Sequence, residues 1–494
     1  MSDALSTPEV RSPRQRLPSR STCFPPTRGE IPIPPRSETI SSGVAPASSL
    51  NAPKVGAGSI RKPVLRTLLT NVSVLFLGLG TSVILNRGLG PVGKGLYATL
   101  LTTSQLILML ASLGLGKSVT FYLSNEEEKP QSVFKVFLAL SFGAAVLSLC
   151  IALIVGVFCK HGDIYKGACI YYLAILSLLS VLHSSGVGVL RGLKQFAACN
   201  GQSLITAAIF GFAAAILAAG GKLNPILAIC CKAFSFLAGV ALIWPKLKTL
   251  GFQFRPELES AIAGKMLRYG LGYFFYALFQ NLSYRFDLIL VAHLTSLADA
   301  GWYSTASGLA EIVWYFPNAV GLVLFPIIAG MSNERRDQLV CKTCRWSILI
   351  MTLGVAGLVI VAPVLIRLLY GERFLPTVSA IYSLSFGIIT NGMFQILGVH
   401  LAAKQRLGTL TLITASGFAI NLVFNSILIP RLGIIGAGLS STISYSLCGF
   451  LTAWAFIKMT GRKPAELFLI SRDELVAVGR SLVQKLRVRF VCAA

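Results

Sequence analysis

The sequence predicts an all-α polytopic membrane protein of about twelve transmembrane helices in two six-helix lobes around a central cavity. Three observations carry this. Of 494 residues, 54% are hydrophobic and only 13% are charged, about half the charged share of an ordinary soluble domain. The charges are clustered, leaving long charge-free runs such as Thr67–Asn86, Gly95–Gly116, Leu375–Val399 and Leu432–Ile457. A helix needs about 20 residues to cross a hydrocarbon core of roughly 30 Å. Glycine is frequent inside these runs, as membrane helices tolerate. The runs are apolar on every side, whereas a barrel would show strict alternation.

Residues 1–64 are rich in Pro, Ser and Arg and lack apolar periodicity, which predicts a disordered basic cytoplasmic tail. Twelve spans follow, at 65–86, 96–119, 134–158, 168–190, 197–220, 225–245, 268–292, 300–329, 345–366, 376–401, 407–430 and 434–457. The eighth is long enough to need a kink at Pro317 or Pro326. The first six form an N-terminal lobe, 65–246. A cytoplasmic linker, 247–267, leads to the C-terminal lobe, 268–458. The tail 459–494 places Leu475, Val478, Leu482 and Leu486 among Arg480, Lys485 and Arg487, a basic amphipathic pattern suited to a membrane surface.

Orientation follows from Lys and Arg. With the N-terminus inside, the inner loops hold fourteen of them and the outer loops eight. That bias favours both termini in the cytoplasm and explains most of the net charge of +25 without nucleic acid. Cys341 and Cys344 form the only CxxC. With no second Cys or His pair suitably spaced, it reads as a thiol pair in a cytoplasmic loop rather than a metal site. No metal, cofactor or P-loop pattern is present.

The halves echo each other. Gly95-Leu96-Tyr97 opens span two and Gly301-Trp302-Tyr303 opens span eight. Lys194-Gln195 precedes span five and Lys404-Gln405 precedes span eleven. Six spans per half make the two copies parallel, related by an axis along the membrane normal, which is a plan of two-lobed transporters.

Four segments, Leu89 to Tyr97, Asp299 to Ala306, Leu369 to Phe374 and Asn421 to Gly438, resemble the oligosaccharide flippase and polysaccharide-export branch of the multidrug/oligosaccharidyl-lipid/polysaccharide exporter superfamily. Leu89-Gly90-Pro91-Val92-Gly93-Lys94-Gly95-Leu96-Tyr97 is similar to its turn after the first span. Asp299-Ala300-Gly301-Trp302-Tyr303-Ser304-Thr305-Ala306 resembles its entry to span eight, and Leu369-Tyr370-Gly371-Glu372-Arg373-Phe374 its outer loop. Asn421, Asn425 and Ile429-Pro430 through Gly438 resemble its signature near the last two spans. The resemblance covers nearly all of 65–458. It implies translocation of polyprenyl-pyrophosphate-linked oligosaccharides across a bacterial inner membrane by alternating access. The implied partners are the lipid-linked glycan, membrane lipids, H+ or Na+ as coupling ion, and the polysaccharide polymerase and export machinery.

Charged residues inside predicted spans are functional candidates, because each costs about 3 kcal/mol at the midplane. Arg285 and Lys232 are assigned to the pyrophosphate, since Arg binds phosphate bidentately and Lys acts as a point charge. Lys117, near the end of span two, joins them. The structural alternative for Arg285 is a pair with Asp287 or Glu311. Asp287 and Glu311 are assigned to the coupling ion, because a carboxyl desolvated in a bundle favours its protonated form. Glu311 shares a helical face with Ser304, Ser307, Trp314, Tyr315 and Asn318, so Trp314 and Tyr315 are placed on a wet cavity wall. Asn281, Asn391 and Gln395 are candidates for sugar hydroxyls, with helix–helix hydrogen bonding as the alternative. His183, His293 and His400 are isolated. Competing functions are a drug or cation antiporter, which favours an acidic cavity, and a multi-span glycan polymerase or ligase, which needs a large outer loop.

Overall fold

A computed structural model describes residues 57–125, 128–158, 169–329 and 331–469. The tail pattern at 475–487 and nearly all of 1–64 lie outside them. The described residues are helical apart from turns and one extended segment. In order they are α1 (Ala57–Ser112), α2 (Leu115–Asn125), α3 (Pro130–Phe158), α4 (Cys169–Gly192), α5 (Phe196–Ala219), α6 (Pro225–Thr249), α7 (Ser260–Leu294), α8 (Leu297–Ala329), α9 (Asn333–Leu369), α10 (Thr377–Ala403), α11 (Leu407–Leu432), α12 (Ile434–Thr460) and a short α13 (Pro464–Phe468).

Among the described residues, ten helical segments are long and apolar enough to cross a membrane. The first, Leu69–Ser112, is a hairpin of two crossings. It turns at Gly90, where φ is 67° and ψ 179°, a conformation that glycine adopts without the penalty of a Cβ. The other crossing is α7, whose Gln280, Asn281, Arg285 and Asp287 make it too polar for the apolar set. Together these give twelve.

The element boundaries differ from expectation in three places. Span two, expected unbroken over 96–119, stops at Ser112. Leu113 (φ 45°) and Gly114 (φ 77°) turn the chain before α2. Helix α7 starts at Ser260, inside the expected linker 247–267. Ile262, Ala263 and Met266 of its first turns sit in the core of α2, α3 and α4. What remains of the linker is pinned rather than free. Phe252 and Phe254 pack on Phe134, Phe254 stacks on Trp244 at 3.9 Å, and Lys135 pairs with Glu257 at 2.7 Å. Finally, Cys341 and Cys344 are buried on helix α9, not in a loop. An apolar pocket around them, including Leu324, Ile328 and Leu467, makes them packing residues.

The internal repeat is visible as recurring turns. Lys194 (φ 58°) and Gln405 (φ 57°), both unusual for residues other than glycine, open α5 and α11. In each turn the next residue's N–H returns to a carbonyl five residues back, Gln195 to Leu190 and Arg406 to Leu401. Lys194 therefore corresponds to Gln405, one position on from the match of Lys194 to Lys404 read in the sequence. Gly221 (φ 65°) and Gly433 (φ 57°) likewise close α5 and α11.

One hydrophobic core joins both halves at the end that carries the Gly90 hairpin and the α9–α10 turn, here the hairpin end. It contains Leu85 and Tyr97 of α1 alongside Leu288, Tyr303 and Ile381 of the second half. At the opposite, linker end the core divides. One cluster holds Phe137, Val181 and Met266; others hold Ile396, Phe456 and Leu410 of the second half. The hairpin end is sealed by backbone against backbone. A Cβ on Gly301 would collide with the carbonyl of Pro91, and one on Gly95 with that of Leu297. The two motifs that signal the repeat are thus the surfaces on which its copies meet.

Gly301→Ala should lower stability by about 1–3 kcal/mol through overpacking, read as thermal unfolding in detergent. Gly308→Ala, on the same helix with open space at its Cβ position, should leave it unchanged.

Candidate functional site

The divided core leaves space, and the space is where polar side chains collect. A cavity of about 780 Å³ lies in the linker-end half, among α1, α7, α8, α10 and α11. Its α7 wall is a helical stripe, Tyr273, Tyr276, Gln280 and Tyr284, flanked by Asn281 and Arg285. Its α8 wall continues the predicted stripe with Glu311, Trp314, Tyr315 and Asn318. Towards its rim stand Val72 and Leu75 of α1 and Leu322 and Phe325 of α8. Leu322 is 63% exposed and Val72 48%, so this side of the cavity is bordered by apolar residues on the bundle surface.

Arg285 and Glu311 meet on the cavity wall. Nη1 donates to Oε1 at 2.6 Å and Nη2 to Oε2 at 3.1 Å, a bidentate pair of the strong kind. The side chains are 33% and 32% exposed, so the pair is reachable. Of the structural alternatives raised for Arg285, pairing with Glu311 is the one realised. Asp287 points elsewhere, as residues two apart on a helix must.

Asp287 is 2% exposed and does not line the cavity. It accepts from Tyr303 Oη, from Ser441 Oγ at 2.9 Å and from the Leu288 N–H at 2.7 Å. A buried carboxylate is tolerable only with such donors. The network ties α7, α8 and α12 together.

An aromatic group forms the inner wall. Tyr284, Trp314 and Tyr445 have ring centroids 5.1 to 5.6 Å apart. Trp314 Nε1 donates to the Ile388 carbonyl at 3.1 Å, and Tyr284 Oη to Asn391 Oδ1 at 2.9 Å. Asn391 Nδ2 and Gln395 Oε1 have no hydrogen-bond partner. Gln395 lines the cavity; Asn391 lies behind Tyr284. Asn281 lines it too, with Nδ2 bonded to the Ala277 carbonyl at 2.8 Å. Asn421 and Asn425 are buried and bonded to each other at 2.9 Å, which is helix packing.

Lys117 lines a second cavity, of about 440 Å³, with Arg191, Thr120 and Ser184. Tyr273 borders both cavities, and Lys117 Nζ lies 5.1 Å from the centre of its ring. Lys232 reaches neither. Its ammonium sits between the Phe210 and Phe236 rings, 4.8 and 4.9 Å from their centres, a cation–π arrangement that replaces water. His183 is bonded to Gln202, and His400 lies 3.6 Å from Asp337. Among the described residues no group of three or more His, Cys, Asp or Glu is placed to hold a metal.

Sequence reasoning missed Arg191, Gln280 and the tyrosines of α7. The tyrosines were findable, because Tyr273, Tyr276 and Tyr284 fall with Gln280 at helical spacing on one face. Arg191 was counted as a loop charge; only the meeting of α2, α4 and α7 places it on a cavity.

Comparison with known proteins places this geometry in context. The profile of the polysaccharide biosynthesis protein family matches residues 84–379. An uncharacterized membrane protein of Methanocaldococcus jannaschii is 28% identical over 199 residues, 38% of this chain and 39% of that protein. The chain thus spans about two fifths of that relative's length. The succinoglycan biosynthesis transport protein ExoT of Rhizobium meliloti is 26% identical, over 68% of each chain. A lipid III flippase of Escherichia coli is 21% identical, over 80% of this chain and 99% of its own. Among solved structures, an inward-facing multidrug transporter of the MOP superfamily superposes with a TM-score of 0.62 at 15% identity, covering 81% of this chain and 98% of that one. The lipid II flippase MurJ, in an inward closed conformation, gives 0.64 at 14% identity, covering 85% and 92%. At such identities the likeness is one of fold.

The cavity makes a labelling prediction. Asn318→Cys should react with a water-soluble maleimide, read by peptide mass spectrometry. Ser441→Cys, behind Asp287, should react at least about tenfold more slowly, as buried thiols do. Equal rates would mean that Asp287 lies on the water-filled side.

Proposed function

The chain belongs to the polysaccharide biosynthesis protein family, with the fold of the MOP transporters, and from that premise we propose that it is a flippase for a lipid-linked anionic oligosaccharide. The substrate class is a polyprenyl-pyrophosphate glycan, taken from the inner leaflet to the outer leaflet of the inner membrane. Both termini are in the cytoplasm, and the linker end faces it.

The observation that carries this reading is the cavity bordered at once by charge, amide and hydrocarbon. Arg285 and Glu311 lie on its wall, Gln280 and Gln395 beside the aromatic group, and Leu322 and Phe325 at the rim facing α1. A sugar binds well to such amide and aromatic surfaces, while a prenyl chain, too apolar for the cavity, stays against the exposed leucines in lipid.

The phosphate has two kinds of cation to meet. Lys117 and Arg191 line the adjoining cavity. Arg285 already holds a carboxylate in the geometry that a phosphate would use. Substrate phosphate competes with Glu311 for Arg285. Glu311, released from Arg285, is the group available to carry a proton, and this exchange couples substrate to ion. Asp287, with its donors on α8 and α12, is the second ion candidate: loss of its charge would loosen three helices at once. Lys232, held between two phenyl rings, is not needed for substrate. A cation antiporter is the poorer reading, because the acid on the cavity wall is already neutralised by Arg285.

Reconstitution into vesicles with a labelled lipid-linked oligosaccharide tests this. Arg285→Ala should slow flipping by at least about tenfold, the cost of one charge-assisted bidentate contact. Glu311→Gln should retain flipping but lose its response to an imposed pH gradient. Arg285→Ala flipping at the native rate, or a response to sodium alone in both proteins, would overturn the assignment.

A further inference from the structure

One motif of the sequence, Leu369 to Phe374, has no part in the cavity. It ends α9 and turns at Gly371, where φ is 92°, before Phe374 is buried. The last carbonyls of a helix have no partner within it and carry the negative end of its dipole. Here the partner comes from the other half of the molecule. Arg87, three residues before the Gly90 hairpin, donates from Nε to the Leu369 carbonyl at 2.8 Å and from Nη2 to the Leu368 carbonyl at 2.6 Å.

The contact is part of a seam. Tyr370 faces Ser82 of α1, and the Thr305 hydroxyl of α8, which donates to the Gly301 carbonyl at 2.9 Å, stands 3.5 Å from Asn86 Oδ1. Trp302 Nε1 donates to the Arg373 carbonyl at 2.8 Å, which fixes the same turn to α8. The Leu369–Phe374 turn is therefore held from one side by its own half and from the other by α1.

We propose that Arg87 is the latch of the hairpin-end gate. Its guanidinium caps α9 only while α1 and the second half are in contact, so opening that end must break the cap. The chemistry suits a reversible closure. Arg87 is exposed; when parted its guanidinium donates to water and the two carbonyls accept from it, so breaking this contact itself costs little. Opening must also part the apolar core that joins the halves there, so the latch adds a readily exchanged polar contact to an apolar seal. The motif's role is to present two helix-end carbonyls to an arginine across the gate. The inference rests on the alternating-access reading above, because a latch has meaning only if that end opens.

Hydrogen exchange of the full chain in lipid nanodiscs tests it without any lipid-linked glycan. Arg87→Ala should speed exchange on the order of fivefold, the worth of a helix-end charge, in both gate segments, 86–97 and 297–305. Exchange should slow at the linker end, in 112–120 and 400–410, as that end closes. Arg87→Lys should restore part of the protection. Faster exchange confined to 366–375 would make Arg87 a local helix cap. Faster exchange everywhere would make it a general packing residue, and no change would make it a bystander; each of these overturns the latch. Since no substrate is present, failure of the flipping assay and failure of the latch are separate results.

Discussion

The contact of α1 with α8 at Gly95 and Gly301 decides where this bundle is solid and where it is hollow. Two backbones can touch there only because neither residue has a Cβ. Around that point a single apolar core runs through both halves. Away from it, the helices diverge into separate cores. Packed interiors are dense, so a gap of hundreds of cubic ångströms requires that helices be held apart. Here they are held together at one end, and at the other they pack into separate clusters, with the first turns of α7 in the cluster of α2, α3 and α4. The cavity follows from that asymmetry rather than from any one residue that lines it.

A second constraint shapes what the cavity presents. Each charge within the hydrocarbon zone must be compensated, and this chain uses three distinct means. Arg285 takes a carboxylate, Asp287 takes two hydroxyls and an amide, and Lys232 takes two phenyl faces. Only the first remains accessible. The compensation therefore sorts similar-looking residues into different roles: an exchangeable pair on a wet wall, a buried tie between helices, and a cation fixed within the N-terminal lobe.

Membership of the polysaccharide biosynthesis family and the MOP fold set the frame, and the proposed substrate fits it through physical complementarity. A molecule that is part hydrocarbon, part phosphate and part sugar needs a site with three kinds of surface. The cavity and its neighbour have those surfaces in one half of the bundle. At the other end Arg87 bridges the two halves beside the apolar core that joins them.

Composition and spacing by themselves determined the fold class, most of the spans in good approximation, and the repeat. Hydrophobic runs must find lipid, and loops must collect charge, whatever the neighbours are. The α8 stripe from Glu311 to Asn318 was legible for the same reason, since helical spacing alone puts those residues on one face. Tertiary structure decided the rest. Whether Arg285 met Asp287, Glu311 or substrate depended on α8 lying beside α7. Lys232 and Lys117 look alike in sequence, yet one faces phenyl rings and the other a cavity, because rotation of a helix about its axis is set by packing. The break at Leu113–Gly114 and the early start of α7 arise where α2 and α7 pack closely, with Gly114 against Gly270 and Ser118 Oγ bonded to the Met266 carbonyl at 2.8 Å. Contacts between residues more than a hundred positions apart leave no periodicity for a local pattern to reveal.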